Sequence, residues 1–455
     1  MNVVDIALIT LLSPLVLILS LHSLYLIAGS RVDMKYDSKP TSEKTVSVVV
    51  PIKNEPLSLV LDCVKHLSKV MKNLGSRSHI YIVSDDEEEY VESLKNELRS
   101  LNTPVAVEVV RHGGRGGRVG SLNFALREVV DSDTLLVLDV DARPSEEFFE
   151  ELLKCARNHD VCVGRWVGYW SRNTRVSAAL AFSTELVSAA LYGGRRSFGL
   201  LIFPLGSGTL FNVNSLRSVG GWEDGTMQDD VIIGMKLHGA GYSIEHSPRA
   251  VVRVLVPSSY RAFRIQQLKW AYGSLESLRY SFKYLNRDIG FLKSFEARLY
   301  TLQYLPGLTV LVASLIVPSL ALAVGVDLSL HTVLLIGIPT SLYVATVLKN
   351  AVKRGYRPLK TLRTLGCASA IGLAVAPVVI KGLVMGALGM RPRAPVTPKG
   401  PEDREKFGEY IEEYTAAAIS LSLGISALFS GYYMVSGLGF LPAVALLYTL
   451  LRATR

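Results

Sequence analysis

The sequence predicts an α/β domain with a doubly wound sheet, joined to an α-helical transmembrane domain. Between Gly29 and Arg298 the chain is charged, and short apolar runs alternate with amphipathic stretches. Strands that alternate with helices form a sheet that is covered by helices on both faces. Elsewhere, several apolar stretches reach about 20 residues, the length that a helix needs to cross a bilayer.

Composition supports this division. The 455 residues are 49% hydrophobic and 20% charged, with a mean hydropathy of +0.30, which is too high for an ordinary soluble enzyme. The net charge of +9 does not indicate a nucleic-acid partner, because the basic residues flank apolar spans and favour the cytosolic leaflet. The four cysteines, which have no CxxC or zinc-site spacing, are expected to be reduced thiols of a cytosol-facing domain: Cys63, Cys155, Cys162 and Cys367.

Five transmembrane helices are predicted: one in residues 1–29, two in 301–348 and two in 415–455. Residues 365–390 are also apolar, but Pro377 and Lys381 lie within them, and a lysine in the middle of the bilayer is costly. We therefore expect an interfacial or re-entrant helix there, with a sixth span as the alternative.

Basic flanks predict the orientation of these helices. Arg31, Lys35, the loop 349–363, Arg452 and Arg455 are all expected on the cytosolic side. The soluble domain, residues 30–260, is then cytosolic and the protein is an integral plasma-membrane protein.

Four predicted strands set the positions of the acidic residues. In doubly wound sheets, ligands bind beyond the carboxyl ends of the strands. Asp85 and Asp86 follow the second strand, and Asp139 and Asp141 follow the fourth. The strands are expected at residues 46–50, 80–83, 105–110 and 134–138.

Asp139 and Asp141 are candidate metal ligands. Alternate residues of an extended segment point the same way, so both carboxylates can reach one cation that also binds a diphosphate. Oxygen ligands favour Mg²⁺ or Mn²⁺. Alone, this Asp-x-Asp pattern is often only a solvated turn.

Two further motifs can be interpreted either structurally or functionally. Gln228-Asp229-Asp230 begins a helical run, where acidic residues can simply cap the helix or supply a general base, for which we select Asp230. Lys269 and Trp270 end Gln266-Gln267-Leu268-Lys269-Trp270, inside a basic amphipathic stretch, residues 261–300. That stretch is typical of a membrane-surface helix, and Lys269 could also neutralise a leaving diphosphate while Trp270 stacks on a sugar.

In this order, the motifs resemble those of family 2 glycosyltransferases of the cellulose-synthase-like, membrane-bound type, in a minimal form without extra N-terminal spans or a regulatory domain. The resemblance covers about residues 46–273 and implies a GT-A-type doubly wound mixed sheet. Farther along, Val396-Thr397-Pro398-Lys399-Gly400 resembles the gating loop of this family, expected at residues 391–414; an ordinary linker is the alternative. The other matching segments are Arg118-Val119-Gly120-Ser121-Leu122-Asn123, Leu205-Gly206-Ser207-Gly208-Thr209 and Val219-Gly220-Gly221-Trp222.

The resemblance implies an inverting hexosyltransferase that uses a nucleotide sugar, UDP- or GDP-activated, with GDP-mannose preferred. Asp230 is the implied base, and Asp139 and Asp141 bind the metal. The acceptor is expected to be a lipid-linked oligosaccharide; a processive β-glycan synthase and an inactive membrane scaffold are the alternatives. The sequence indicates no oligomeric state. Acceptor contacts are expected from Gly208, Asp229 and Trp270. Donor contacts are expected from Pro51, Lys53, Glu55, Asp85 or Asp86, Arg118, Asp139, Gln266, Lys269, Thr397 and Lys399.

Three residues depart from the family pattern. Asp229 stands where the family usually has Glu, Arg118 where it has Lys, and Lys269 where it has Arg. Each departure keeps the charge, but a lysine at position 269 offers no bidentate fork to a diphosphate.

Overall fold

The structure is a computed structural model that describes residues 1–29, 44–74, 78–114, 116–392, 397–399, 403–405 and 407–454. Several residues named above lie outside these ranges: Arg31, Lys35, Val396, Gly400 and Arg455.

The predicted doubly wound mixed sheet is confirmed. Eight strands form one sheet in the order β3-β2-β1-β4-β7-β6-β8-β5. Strands β1 to β4 are parallel to one another, whereas β7 runs antiparallel to both β4 and β6. The strands are β1 Val46–Ile52, β2 His79–Ser84, β3 Ala106–Arg111, β4 Thr134–Val137, β5 Arg143–Pro144, β6 Val161–Tyr169, β7 Thr209–Asn212 and β8 Ile244–Leu255.

Helices cover both faces of the sheet because the central strands are apolar on both sides. On β1, Val48 and Val50 face one core and Val49 faces the other. The helices of the soluble part are α2 Leu57–Val70, α3 Glu88–Arg99, α4 Gly117–Phe124, α5 Phe148–Cys155, α6 Arg175–Val187, α7 Arg195–Ser197, α8 Val213–Ser218 and α9 Asp229–Gly239.

Long helices make up most of the remaining chain. The interface stretch predicted at 261–300 forms two helices, α10 and α11. Short π-helical turns at Ala125–Val129, Ser188–Gly194 and Thr449–Ala453 continue α4, α6 and the last helix. The helices are α1 Val3–Gly29, α10 Tyr260–Tyr284, α11 Phe291–Thr301, α12 Leu305–Val324, α13 Leu330–Lys353, α14 Pro358–Ala374, α15 Ala376–Leu388, α16 Ile411–Phe429 and α17 Tyr433–Tyr448.

Five helices of the described chain are long and apolar enough to cross a membrane. One of them, Arg175–Ser197, falls inside the segment that the sequence analysis gave to the catalytic domain. Helix α16 is not among them, since Glu412 and Glu413 make its start polar. The five are Val3–Gly29, Arg175–Ser197, Leu305–Val324, Leu330–Lys353 and Tyr433–Ala453.

The segment expected to be interfacial or re-entrant forms a bent pair. Helices α14 and α15 meet at an angle of 47°, the geometry of a broken span or a re-entrant loop. Helix α15 packs closely on α10 at Gly382, where a Cβ would lie only 2.7 Å from the carbonyl oxygen of Leu268. The re-entrant helix and the sixth span both stay predictions.

The expectation of four reduced cysteines is wrong. Cys155 and Cys162 form a disulfide, with 6.0 Å between their Cα atoms. Helix α5 ends at Cys155 and β6 begins at Val161, so a short reversal returns the chain to the same place. Sequence spacing alone could not show this reversal. Cys63 is a buried free thiol and Cys367 a half-buried one.

Candidate active site

The Asp-x-Asp motif lies at the carboxyl end of β4, as the sequence predicts. The backbone N–H of Asp139 donates to Ser207 Oγ at 3.0 Å, and the hydroxyl of Tyr169 donates to the carbonyl oxygen of Asp141 at 2.6 Å. Both contacts hold the backbone, so the two carboxylates stay available for charged partners. The Asp139 side chain is 44% exposed, and that of Asp141 is 12% exposed.

Arg118 joins the Asp-x-Asp motif to the Gln-Asp-Asp motif. Its Nε lies 3.6 Å from Asp139 Oδ1, its Nη1 forms an ion pair with Asp229, and its Nη2 donates to the carbonyl oxygen of Gly206. Although the Asp139 side chain is 44% exposed, desolvation by the surrounding protein raises its pKa, and the guanidinium of Arg118 opposes that rise. One guanidinium therefore holds the candidate metal ligand and the candidate base region side by side.

Asp230 is the second residue of α9, and its surroundings give it the electrostatics of a base. Its Oδ1 accepts from the backbone N–H of Val231 at 2.8 Å. Burial and then the carboxylate of Asp229 raise the pKa of Asp230, and Arg118 lowers it only in part, which leaves it at about 7. A carboxylate with a pKa near the working pH is suited to accept a proton from a hydroxyl.

Helix α10 supports the Gln-Asp-Asp loop through hydrogen bonds to its backbone. Glu276 Oε2 accepts from the backbone N–H groups of Met227 at 2.7 Å and Gln228 at 3.3 Å. Gly273 leaves room for Gln228, because a Cβ there would lie 2.7 Å from Gln228 Oε1. Glu276 belongs to none of the sequence motifs, and its one sequence signal is that it is the only acidic residue of the basic helix α10.

The same helix carries Gln266, Lys269 and Trp270, so the helix that supports the loop also carries the motif expected to grip the diphosphate. Trp270 is 37% exposed. Burial lowers the pKa of Lys269. Their predicted contacts with donor and acceptor stay predictions.

The acidic pair after β2 is held by its own neighbours. Asp85 Oδ1 contacts His112 Nδ1 at 2.8 Å and accepts from Ser121 Oγ at 3.2 Å. Asp86 accepts from Ser84 Oγ at 2.8 Å and from the backbone N–H of Asn54 at 2.6 Å. The second bond fixes Asn54 in the left-handed region, with φ 54°. The choice between the two aspartates as the nucleotide contact remains open.

Lys399 reaches the Asp-x-Asp motif from far along the chain. Its Nζ lies 2.9 Å from Asp141 Oδ2 and 2.8 Å from Glu55 Oε1. The neighbouring Asp403 accepts from the backbone N–H of Ser259 at 3.1 Å, which anchors the segment beside α10. The structure therefore brings the predicted gating-loop lysine to the predicted metal ligand.

Three other predicted residues have simpler surroundings. Proline has no backbone N–H to donate to a neighbouring strand. Pro51 is tolerated within β1 because the pairing of β1 with β4 ends at Val49. Lys53 is exposed, and Thr397 is half-buried near Lys399 in sequence.

Gly208 has a structural role in the sheet that the sequence motifs did not indicate. Its N–H donates to Val137 at 2.8 Å, its carbonyl accepts from Gly164 at 2.9 Å, and its φ is 88°. A Cβ there would lie 2.6 Å from Val252 Cγ1. Both backbone groups of Gly208 are therefore used within the sheet, and its predicted contact with the acceptor stays a prediction.

The residues at this edge of the sheet fit a divalent cation whose coordination is completed by the phosphates of a bound ligand. Asp139 and Asp141 supply carboxylate oxygens, and the ammonium of Lys399 already sits against Asp141 as a stand-in cation. Within the described ranges, no cluster of three or more His, Cys, Asp or Glu side chains could hold a metal by itself. Two carboxylates plus substrate phosphates is the usual mode for Mg²⁺.

Comparisons with known proteins agree with this geometry. Residues 47–220 match the family described as "Glycosyl transferase family 2", and residues 134–350 match "Glycosyl transferase family group 2". The chain is 30% identical over 427 residues to a probable glycosyltransferase of Sulfolobus acidocaldarius, a match that covers 92% of this chain and 90% of the relative. The chain therefore belongs to glycosyltransferase family 2.

Two other similarities are more partial. A poly-β-1,6-N-acetyl-D-glucosamine synthase of Staphylococcus aureus is 24% identical over 219 residues, which is 47% of this chain and 51% of the synthase. A mannosyltransferase of Pyrobaculum calidifontis, solved with GDP-mannose and Mn²⁺, shares the fold with a TM-score of 0.53 and 17% identity, over 86% of this chain and all of that one (100%).

Proposed function

We propose that this protein is a membrane-embedded, inverting hexosyltransferase that moves one or a few sugars from a nucleotide sugar to a lipid-linked oligosaccharide. One observation carries the proposal: Arg118 contacts Asp139 and Asp229 together, which puts a carboxylate proposed to hold the cation next to the proposed base, Asp230. A scaffold without activity would have no need to keep both carboxylate motifs around one guanidinium.

In the proposed reaction, Asp230 accepts the proton of an acceptor hydroxyl. The hydroxyl oxygen then bonds to the anomeric carbon of the donor sugar. The bond from that carbon to the phosphate oxygen breaks, the electron pair leaves with the nucleoside diphosphate, and an α-linked donor gives a β-linked product. Arg118 and Lys269 supply positive charge near the leaving group.

Asp139 and Asp141 would hold the cation, Mn²⁺ or Mg²⁺, which when bound neutralises charge on the leaving diphosphate. GDP-mannose is the first donor to test, since a protein of the same fold was solved with GDP-mannose and Mn²⁺. The relative that makes a poly-N-acetylglucosamine chain supports a processive β-glycan synthase as the second candidate.

The proposed location is the plasma membrane, with the catalytic domain on the cytoplasmic side. The support is the basic connection between α13 and α14, where Arg354 and Arg357 are exposed, because basic connections favour the cytosolic side. A protease added to sealed, right-side-out vesicles should leave the catalytic domain intact, and cleavage there would reverse the assignment.

The reaction is tested with detergent-purified full-length protein, labelled GDP-mannose, UDP-glucose or UDP-N-acetylglucosamine, a lipid extract, and either Mn²⁺ or Mg²⁺. We expect label in a lipid-soluble product with wild-type protein and none with Asp230→Asn. A ladder of long products would select the synthase. No transfer from any donor, with either cation, would reject the proposal.

A further inference from the structure

A basic cavity lies at the ends of three apolar helices, and none of the active-site carboxylates lines it. It has a volume of about 810 Å³ and lies between the start of α6, the first half of α14 and the end of α17. Its walls carry Arg175, Arg363 and Arg452, together with Thr364 and Tyr448.

The three arginines are not matched by acidic side chains. Among the residues that the structure describes, none of the three takes part in an ion pair within 4.0 Å. Arg175 Nη1 donates to the carbonyl oxygen of Arg452 at 2.7 Å, which fixes one guanidinium at the cavity wall and leaves its other donors available. Three like charges around one space repel each other, so the arrangement favours an anion with several oxygen acceptors.

The position of the cavity indicates where that anion comes from. Arg175 begins, and Arg452 nearly ends, helices that are apolar enough to span a membrane, and Arg363 lies in the bent pair. Basic side chains at such helix ends lie at the level of the lipid headgroups. On the outside of α14, Leu359 and Leu362 are 62% and 47% exposed, which offers apolar surface to acyl or prenyl chains.

We propose that this cavity is a binding site for the phosphate headgroup of a membrane lipid, a phosphodiester or a diphosphate. Arg175, Arg363 and Arg452 contact the phosphate oxygens. The inference does not require the proposed sugar transfer, because binding is measured without a donor.

The cavity contains a natural reporter, Cys367, which lies on its wall and is half-buried. Of the other three cysteines, Cys63 is buried and Cys155 and Cys162 are disulfide-bonded, so a maleimide should react mainly with Cys367. In unmodified full-length protein in a neutral detergent, we expect phosphatidylglycerol or a polyprenyl phosphate to slow this labelling at least threefold. Diacylglycerol should have no effect.

Variants then test the arginines. Native mass spectrometry of Arg363→Gln/Arg452→Gln should show at least tenfold weaker binding of the phosphate lipid, as expected for the loss of charge-assisted hydrogen bonds. Lys360→Gln removes one positive charge from the same helix outside the cavity wall and should bind as wild type does. Arg175 is left unchanged because it also holds the end of the last helix.

Three results would overturn the proposal. The first is equal protection of Cys367 by diacylglycerol and by the phosphate lipids. The second is unchanged lipid affinity in the double variant. The third is protection by inorganic pyrophosphate at the same concentration as the lipid, which would make this a site for a soluble anion. If the double variant does not fold, the labelling of unmodified protein decides the question.

Discussion

The acid limb of the pH profile should belong to Asp230. The pKa of Asp230 is raised to about 7, and the base works only when it is ionised. Activity should therefore be present above pH 7 and lost as the pH falls, with kcat/KM about tenfold lower for each pH unit below the inflection. The Asp230→Asn variant should lose about 10²- to 10⁴-fold in kcat/KM, the usual contribution of a positioned base.

The electrostatic contribution of Arg118 can be worked out from the geometry. A Cβ on Gly206 would lie 3.4 Å from Asp230 Oδ2 and 3.7 Å from Arg118 Nη2, so these two atoms are separated by about 7 Å at most. At an effective dielectric constant of about 20, unit charges at this distance interact by about 2 kcal/mol. Removing the positive charge in Arg118→Gln should move the inflection of the acid limb by about 1–2 pH units in the alkaline direction.

The assay is sugar transfer at low donor concentration over the pH range, because kcat/KM reports the pKa of the free enzyme. Arg118→Lys is the matched control, since it keeps the charge and should leave the inflection near that of the wild type. Asp229→Asn should move the inflection in the acid direction, because it removes a like charge and releases Arg118 from its ion pair.

Stability should follow the opposite trend. Because the folded-state pKa of Asp230 lies above its unfolded value, its contribution to stability is complete below about pH 4 and is lost as the pH rises toward 7. At alkaline pH, Asp230→Asn should thus be at least as stable as the wild type while inactive. An acid limb that persists in Asp230→Asn, or an inflection that does not move in Arg118→Gln, would refute the assignment of the base.

Three further predictions concern the metal, the disulfide and the sheet. Asp141→Asn should abolish the stimulation of transfer by Mn²⁺, measured against a metal-chelated blank; full stimulation would remove Asp141 from the metal site. Reduction of Cys155–Cys162, which closes a loop with a sequence separation of 7, should lower the unfolding free energy by about 2–3 kcal/mol, seen as a lower thermal midpoint with reductant. Gly208→Ala should lower the midpoint more than Gly113→Ala, because both glycines have φ above 80° but only the first would also meet a side chain; equal effects would contradict this.

Much of the soluble fold could be predicted because local patterns determine it. The strand expected at residues 80–83 is observed as His79–Ser84. Asp139 and Asp141 directly follow β4, at the edge of the sheet where doubly wound folds bind their ligands. The order of the motifs also predicted the family, which the relative from Sulfolobus supports.

Long-range contacts could not be predicted from the sequence. No local pattern shows that Arg118 would pair with Asp229, 111 residues away, or that Glu276 would hold the loop before α9. The disulfide was missed for the same reason, because its two cysteines are brought together by a chain reversal. The apolar helix at Arg175–Ser197 was missed because Glu185 and its terminal arginines interrupt the run.

The ion pair between Lys399 and Asp141 changes how donor binding should be understood. An internal ammonium already pairs with Asp141 and Glu55, so the arrival of a metal with its diphosphate would be an ion exchange, with one cation replacing another. Free metal would have to displace Lys399 without offering it a new anion, whereas a metal diphosphate brings phosphate oxygens that the released ammonium can bind. Metal and nucleotide should therefore bind together far better than either binds alone.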